Sequence, residues 1–106
     1  MSQRTIAIIG DGKMGQAIRE LAQAKSWKVA AMIGERESAG GSGITRDTLG
    51  NADVAVEFTE PKAAVANITA ALRAGVPVVA GTTGWYEQLP AVTKSANEAG
   101  TALLWS

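Results

Sequence analysis

Apolar runs rich in β-branched residues alternate along the chain with stretches whose apolar residues recur at helical spacing, and the alternation predicts a βαβαβ order. The first run, Thr5 to Ile9 (TIAII), is continuous, as expected of a strand buried on both faces of a parallel sheet. Met14, Ala17, Ile18, Leu21 and Ala22 then fall on one stripe of a helix from Lys13 to Lys25, while Gln16, Arg19, Glu20 and Gln23 face away. Lys28 to Ile33 (KVAAMI) predicts the second strand, closed by Gly34 and the polar Glu35, Arg36, Glu37 and Ser38. The stretch Ser38 to Gly43 holds three glycines and two serines and is expected to be a mobile loop. Ile44 and Thr45 predict a short edge strand, with a helical turn at Asp47 to Leu49.

A further strand is predicted at Asp53 to Phe58 (DVAVEF). Pro61 suits the first turn of the next helix, which buries Val65, Ile68, Ala71 and Leu72 and ends at Gly75. Val76 to Ala80 (VPVVA) is another buried strand, ended by Gly81-Thr82-Thr83-Gly84. A last helix, Leu89 to Ala99 with Pro90 in its first turn, stops at Gly100, and Thr101 to Trp105 (TALLW) is the final strand. Trp85, Tyr86 and Trp105 read as packing residues. There is no internal repeat and no dividing linker, and a chain stopping at Ser106 directly after a hydrophobic strand is expected to be a cut one.

Composition narrows the chemistry. The 106 residues include neither cysteine nor histidine. That excludes a disulfide framework, a Cys/His zinc site, a thiolate nucleophile and a Ser-His-Asp triad, so no catalytic residue and no metal ligand is assigned. Ten basic residues balance ten acidic ones, which removes the electrostatic footprint of a nucleic-acid binder. No apolar run approaches the ~18 residues of a membrane span, and no signal peptide opens the chain, so a cytoplasmic location is expected. The length suits one domain, burying roughly 65% of the surface its unfolded form exposes.

Gly10-Asp11-Gly12-Lys13-Met14-Gly15 is a GxGxxG motif placed directly after a strand and opening a helix. In that context Gly10 permits the tight turn, Gly12 lets the backbone approach a pyrophosphate, and Gly15 lets helix and strand pack closely. The helix end then receives the phosphates. The predicted fold is α/β: a Rossmann-type doubly wound parallel sheet in three α/β/α layers. Asp11 is an anion beside an anion site, so its carboxylate is expected to point to solvent with Lys13 supplying compensating charge. Glu35 lies about 20 residues after Gly15, where such folds place an acid on the adenosine ribose, and Arg36 next to it suits the 2′-phosphate of NADPH; both NADH and NADPH are expected to bind. Phe58-Thr59 and Gly81-Thr82-Thr83-Gly84 end the fourth and fifth predicted strands and are expected to line the same crevice, with hydroxyls and amides available to a ribose or a nicotinamide. Glycine-rich turns, solvated charge runs and threonines that cap turns also occur without ligands; here position relative to the glycine motif favours a cofactor role.

Together the glycine loop after TIAII, Gly34-Glu35-Arg36-Glu37, Glu57-Phe58-Thr59-Glu60-Pro61, and Gly75-Val76-Pro77-Val78-Val79-Ala80-Gly81-Thr82-Thr83-Gly84 resemble the amino-terminal domain of the dihydrodipicolinate reductases. The resemblance runs along essentially the whole chain, and GTTG after VPVV is its most specific part. It implies a pyrophosphate role for Gly10 to Gly15, Glu35 on the ribose, Arg36 on a 2′-phosphate, and Gly81, Thr82 and Thr83 with Phe58 and Thr59 on the nicotinamide side. Ser106 would begin the segment leading to substrate. Many members have one more residue in the glycine loop and an Asp where this chain has Glu57.

The resemblance also implies an NAD(P)H-dependent reduction in the diaminopimelate route to lysine, a substrate domain lying beyond these residues that supplies the proton donor, and a homotetrameric parent. The 106 residues alone are then expected to bind cofactor without turnover. Two alternatives stand beside it: the cofactor domain of a homoserine or aspartate dehydrogenase, and a freestanding nucleotide-sensing module.

Overall fold

The computed structural model describes residues 4–105, and of Glu35 and Ala39 it describes the backbone. Five parallel strands form one sheet: β1 (Thr5–Ile9), β2 (Lys28–Ile33), β3 (Val54–Glu57), β4 (Val78–Ala80) and β5 (Leu103–Trp105), in the order β2-β1-β3-β4-β5. Between them lie α1 (Lys13–Ala24), the single turn α2 (Glu35–Ser38), α3 (Pro61–Arg73) and α4 (Leu89–Ala99). The chain runs outward from β1 to β2 and then steps back across β1 to β3. That reversal is the switch point of a doubly wound sheet, so the predicted Rossmann-type α/β fold is observed.

Local chemistry sets the helix limits. Pro61 stands in the first turn of α3, and Gly75, just past its end, adopts φ +82°; Pro90 and Gly100 (φ +68°) do the same for α4. Side chains alternate across the strands, so the two faces are built from different residues. Ala7, Ile9, Ala55, Val78 and Ala80 join Ala64, Ile68, Ala71 and Leu72 of α3 and Val92 and Ala96 of α4 in the main core, with Trp85 and Leu49 beside them.

The opposite face carries α1. The cross-sheet row Ile8, Val56, Val79, Leu104 runs from full burial under α1 to 65% exposure at Leu104. The predicted apolar stripe of α1 is therefore only partly covered: Gly15 and Ala22 are buried, but Met14 and Leu21 are more than half exposed. Periodicity identified the apolar side of the helix correctly. It carried no information about what lies opposite, since α3 and α4 both pack on the other face.

Three further expectations are corrected. Ile44 and Thr45 form no strand; Ile44 is buried by packing, and a turn is held by the Thr45 N–H donating to the Thr48 hydroxyl oxygen (2.8 Å) and the Thr48 N–H donating to the Thr45 hydroxyl oxygen (3.1 Å). The segments at Phe58 and Gly81 thus end the third and fourth strands. Ser38 to Gly43 is not an irregular loop throughout: Ser38 ends α2 and a 3-10 turn follows at Ala39–Gly41, with Ser38 and Gly41 buried and Gly41 seated against the Ala66 carbonyl of α3, while Gly40 and Ser42 are exposed. Trp85 is core, as expected, whereas Tyr86 and Trp105 are 38% and 47% exposed. Among the described residues no helix is long and apolar enough to cross a membrane.

Candidate functional site

Three strand ends meet at the switch point. Gly10 N–H donates to the Ile33 carbonyl (2.7 Å), and Phe58 N–H donates to the Ile9 carbonyl (2.8 Å). The three motif glycines are there for three different reasons. Gly10 sits at φ +121°, and a Cβ on it would overlap the Phe58 carbonyl; a Cβ on Gly15 would overlap the Gly10 carbonyl, so helix and turn approach as closely as backbone allows. Gly12 has ordinary extended backbone (φ −76°, ψ −164°), and nothing lies within 4 Å of where its Cβ would stand. Its missing side chain leaves space at the surface.

Gly12 is the N-cap of α1, with no side-chain cap and no acidic residue in the first turn. The helix ladder begins at Gln16 N–H to the Gly12 carbonyl (3.0 Å), so the amides at Lys13, Met14 and Gly15 have no partner within the helix. Those amides and the positive helix end suit an anion. Asp11 is exposed, with its carboxylate leaning over Gly34 near that of Glu37. Among the described residues no ion pair joins it to Lys13, which is itself exposed.

Gly10, Asp11, Gly12, Phe58 and Thr59 line one cavity of about 280 Å³, completed by Ser38, Glu60, Ala63 and Asn67. Lys13, Met14 and Gly15 continue into α1 beside it, and Arg36 is exposed on α2 just past the end of β2. The Glu35 side chain and Ser106 lie outside the described residues. Asn67 was not anticipated. It is 1% exposed and its Oδ1 has no hydrogen-bond partner. A sequence signal existed: an amide placed between Ala64 and Ala71 on the buried stripe of α3.

The segments after β3 and β4 are tied to each other. Gly81 N–H donates to the Glu57 carbonyl (2.8 Å), and the Phe58 ring occupies the space a Gly81 side chain would need. The Thr82 hydroxyl donates to Glu57 Oε2 (2.7 Å), which also receives the Thr59 N–H (3.0 Å) and the Thr59 hydroxyl. The hydroxyls of Thr59 and Thr82 are thus engaged with Glu57, whereas Thr83 is exposed. A fully buried carboxyl draws them inward, since a buried acid without donors is costly. Gly81, Thr82 and Thr83 do not line the 280 Å³ cavity; Phe58 stands between, its carbonyl against Gly10 and its ring against Gly81.

Residues 4–106 match the family described as Dihydrodipicolinate reductase, N-terminus. The chain belongs to this family. A 4-hydroxy-tetrahydrodipicolinate reductase of Christiangramia forsetii is 31% identical over 103 residues, covering 95% of this chain and 40% of that protein. Another, from Bifidobacterium longum, is 45% identical over 56 residues, 53% of this chain and 22% of that protein. The chain thus spans less than half the length of the relatives it matches. Among solved structures, an NAD-binding protein from Listeria innocua has a TM-score of 0.74 at 21% identity, covering 98% of this chain and 35% of that one. A protein described as a homoserine dehydrogenase from Archaeoglobus fulgidus has 0.71 at 22%, covering 97% and 42%. At these identities the likeness shows the fold alone.

Proposed function

We propose that this chain is the NAD(P)H-binding part of a cytoplasmic 4-hydroxy-tetrahydrodipicolinate reductase, an oxidoreductase of the diaminopimelate route to lysine. The observation that carries the reading is the glycine turn at the β1/β3 switch point, opening onto an uncapped 12-residue helix. The residues fit the group. The empty space at Gly12 admits a pyrophosphate to the backbone, and the first-turn amides of α1 supply donors to it. Gly10 to Gly15 hold the phosphates, Glu35 and Arg36 the adenosine end, and Phe58, Thr59, Gly81, Thr82, Thr83 and Ser106 the nicotinamide end. When bound, NAD(P)H supplies a hydride. Residues 4–105 bind and orient it; the proton donor, the substrate contacts and most tetramer contacts are assigned to a substrate domain outside these residues.

The exposed guanidinium of Arg36 is the group assigned to a 2′-phosphate. Arg36→Ala is expected to weaken NADPH by roughly 1.5 to 3 kcal/mol, the scale of a charged hydrogen-bonded contact, and to leave NADH nearly unchanged. Parallel calorimetric titrations check this, and equal losses for both cofactors would remove Arg36 from that role. The reductase reading is tested by NADPH consumption with 4-hydroxy-tetrahydrodipicolinate. The longer protein containing this domain should turn over and the 106 residues alone should not; turnover by the 106 residues would overturn the division of labour, and none by the longer protein would overturn the substrate.

A further inference from the structure

Glu57 is the one acidic residue with a fully buried side chain among the described residues, and hydrogen-bond satisfaction does not account for it. Its Oε2 receives three donors: the Thr59 N–H, the Thr59 hydroxyl and the Thr82 hydroxyl. Its Oε1 is buried with no partner. Each of the three donors also has a second acceptor at hand. Thr59 N–H reaches the Thr82 hydroxyl oxygen (2.8 Å), the Thr82 hydroxyl reaches the Thr59 carbonyl (3.1 Å), and the Thr59 hydroxyl reaches the Glu60 carbonyl (3.5 Å). Nor is the side chain needed to join the strands, because β3 and β4 are already paired and Gly81 N–H is held by the Glu57 backbone.

A buried carboxyl with one oxygen unused therefore lowers stability compared with an apolar residue of similar size. What it adds lies beyond the strand ends. It pulls Thr59 and Thr82, from two different segments, onto a single oxygen. The Thr82 carbonyl is fixed in turn by Trp85 Nε1–H (2.6 Å). With both hydroxyls committed inward, the two segments are held together at the strand ends, the Phe58 ring packed against Gly81 and the Thr83 side chain left exposed.

We propose that Glu57 is a positioning residue: its carboxyl locks the segments after β3 and β4 into the one arrangement that receives the nicotinamide half of the cofactor. This role rests on the dinucleotide reading above. It is distinct from the pyrophosphate and adenosine-ribose roles proposed above, which fall in the β1–α1 turn, α1 and α2.

The test compares NADH with ADP-ribose, which lacks the nicotinamide, by titration of the wild type, Glu57→Met, Glu57→Gln and Thr82→Val, each checked by its melting curve. The wild type should bind NADH more tightly than ADP-ribose. Glu57→Met and Thr82→Val should lose at least about tenfold in NADH affinity with ADP-ribose affinity unchanged, the loss expected of a broken hydrogen-bond tie. Glu57→Gln keeps an oxygen for the donors and should recover most of the difference. A general loss of folding would lower both ligands together, and Thr82→Val reports independently if Glu57→Met does not fold. Equal affinities for the two ligands in the wild type, or an unchanged NADH to ADP-ribose ratio in Glu57→Met and Thr82→Val, overturns the role. Failure of the wild type to bind either ligand overturns the dinucleotide reading itself.

Discussion

Trp85→Ala is expected to destabilise the chain by about 3 to 5 kcal/mol, the range for removing a buried aromatic side chain. Trp85 is the largest of the fully buried side chains, 1% exposed, and packs in the core under α3 and α4. Its indole N–H also holds the Thr82 carbonyl at 2.6 Å, so truncation leaves both a cavity and an unpaired carbonyl. Trp85→Phe keeps much of the volume and should cost about half as much. Urea unfolding followed by circular dichroism measures both. A loss for Trp85→Ala below about 1 kcal/mol would mean that the segment after β4 is not anchored by this residue.

Gly10→Ala is expected to cost about 3 kcal/mol or more. Two penalties combine: a left-handed φ of +121°, worth about 1 to 3 kcal/mol for a residue with a Cβ, and overlap with the Phe58 carbonyl, which backbone movement alone can relieve. Because Phe58 N–H is bonded to Ile9, that movement disturbs the β1 and β3 ends together. Gly12→Ala, two residues on, meets ordinary backbone and open space and should change stability by no more than about 0.5 kcal/mol. The same urea unfolding experiment on both variants separates a glycine required by the turn from a glycine required by a ligand. A large destabilisation by Gly12→Ala would contradict the assignment.

Much of this arrangement was legible in the sequence because local rules govern it. Pro61 and Gly75, and Pro90 and Gly100, mark helix limits through backbone chemistry that needs no tertiary context. The motif glycines could likewise be given separate roles from their position between a strand and a helix. Ile44 and Thr45 form no strand: a short apolar pair signals burial without specifying how the backbone achieves it. The covering of α1 was invisible since a hydrophobic stripe identifies a face and not its partner. Thr82 turns inward because Glu57, 25 positions earlier, ends beside it in the sheet. Asn67 joins the cavity for a similar reason: the switch point brings α3 over the glycine turn, a consequence of strand order rather than of any neighbouring residue.

On the proposed reading, the β1–α1 turn receives a dinucleotide through the space that Gly12 leaves open. Thermal melting of the wild type and of Gly12→Val across increasing NADH tests it most directly, because a ligand that binds only the folded chain raises its stability by about 2.7 kcal/mol at a concentration of 100 Kd. A rising midpoint is expected for the wild type, and for Gly12→Val a midpoint that starts near the wild-type value and does not respond to NADH. A wild-type midpoint indifferent to NADH, or a Gly12→Val midpoint that rises as steeply as the wild type, would contradict it.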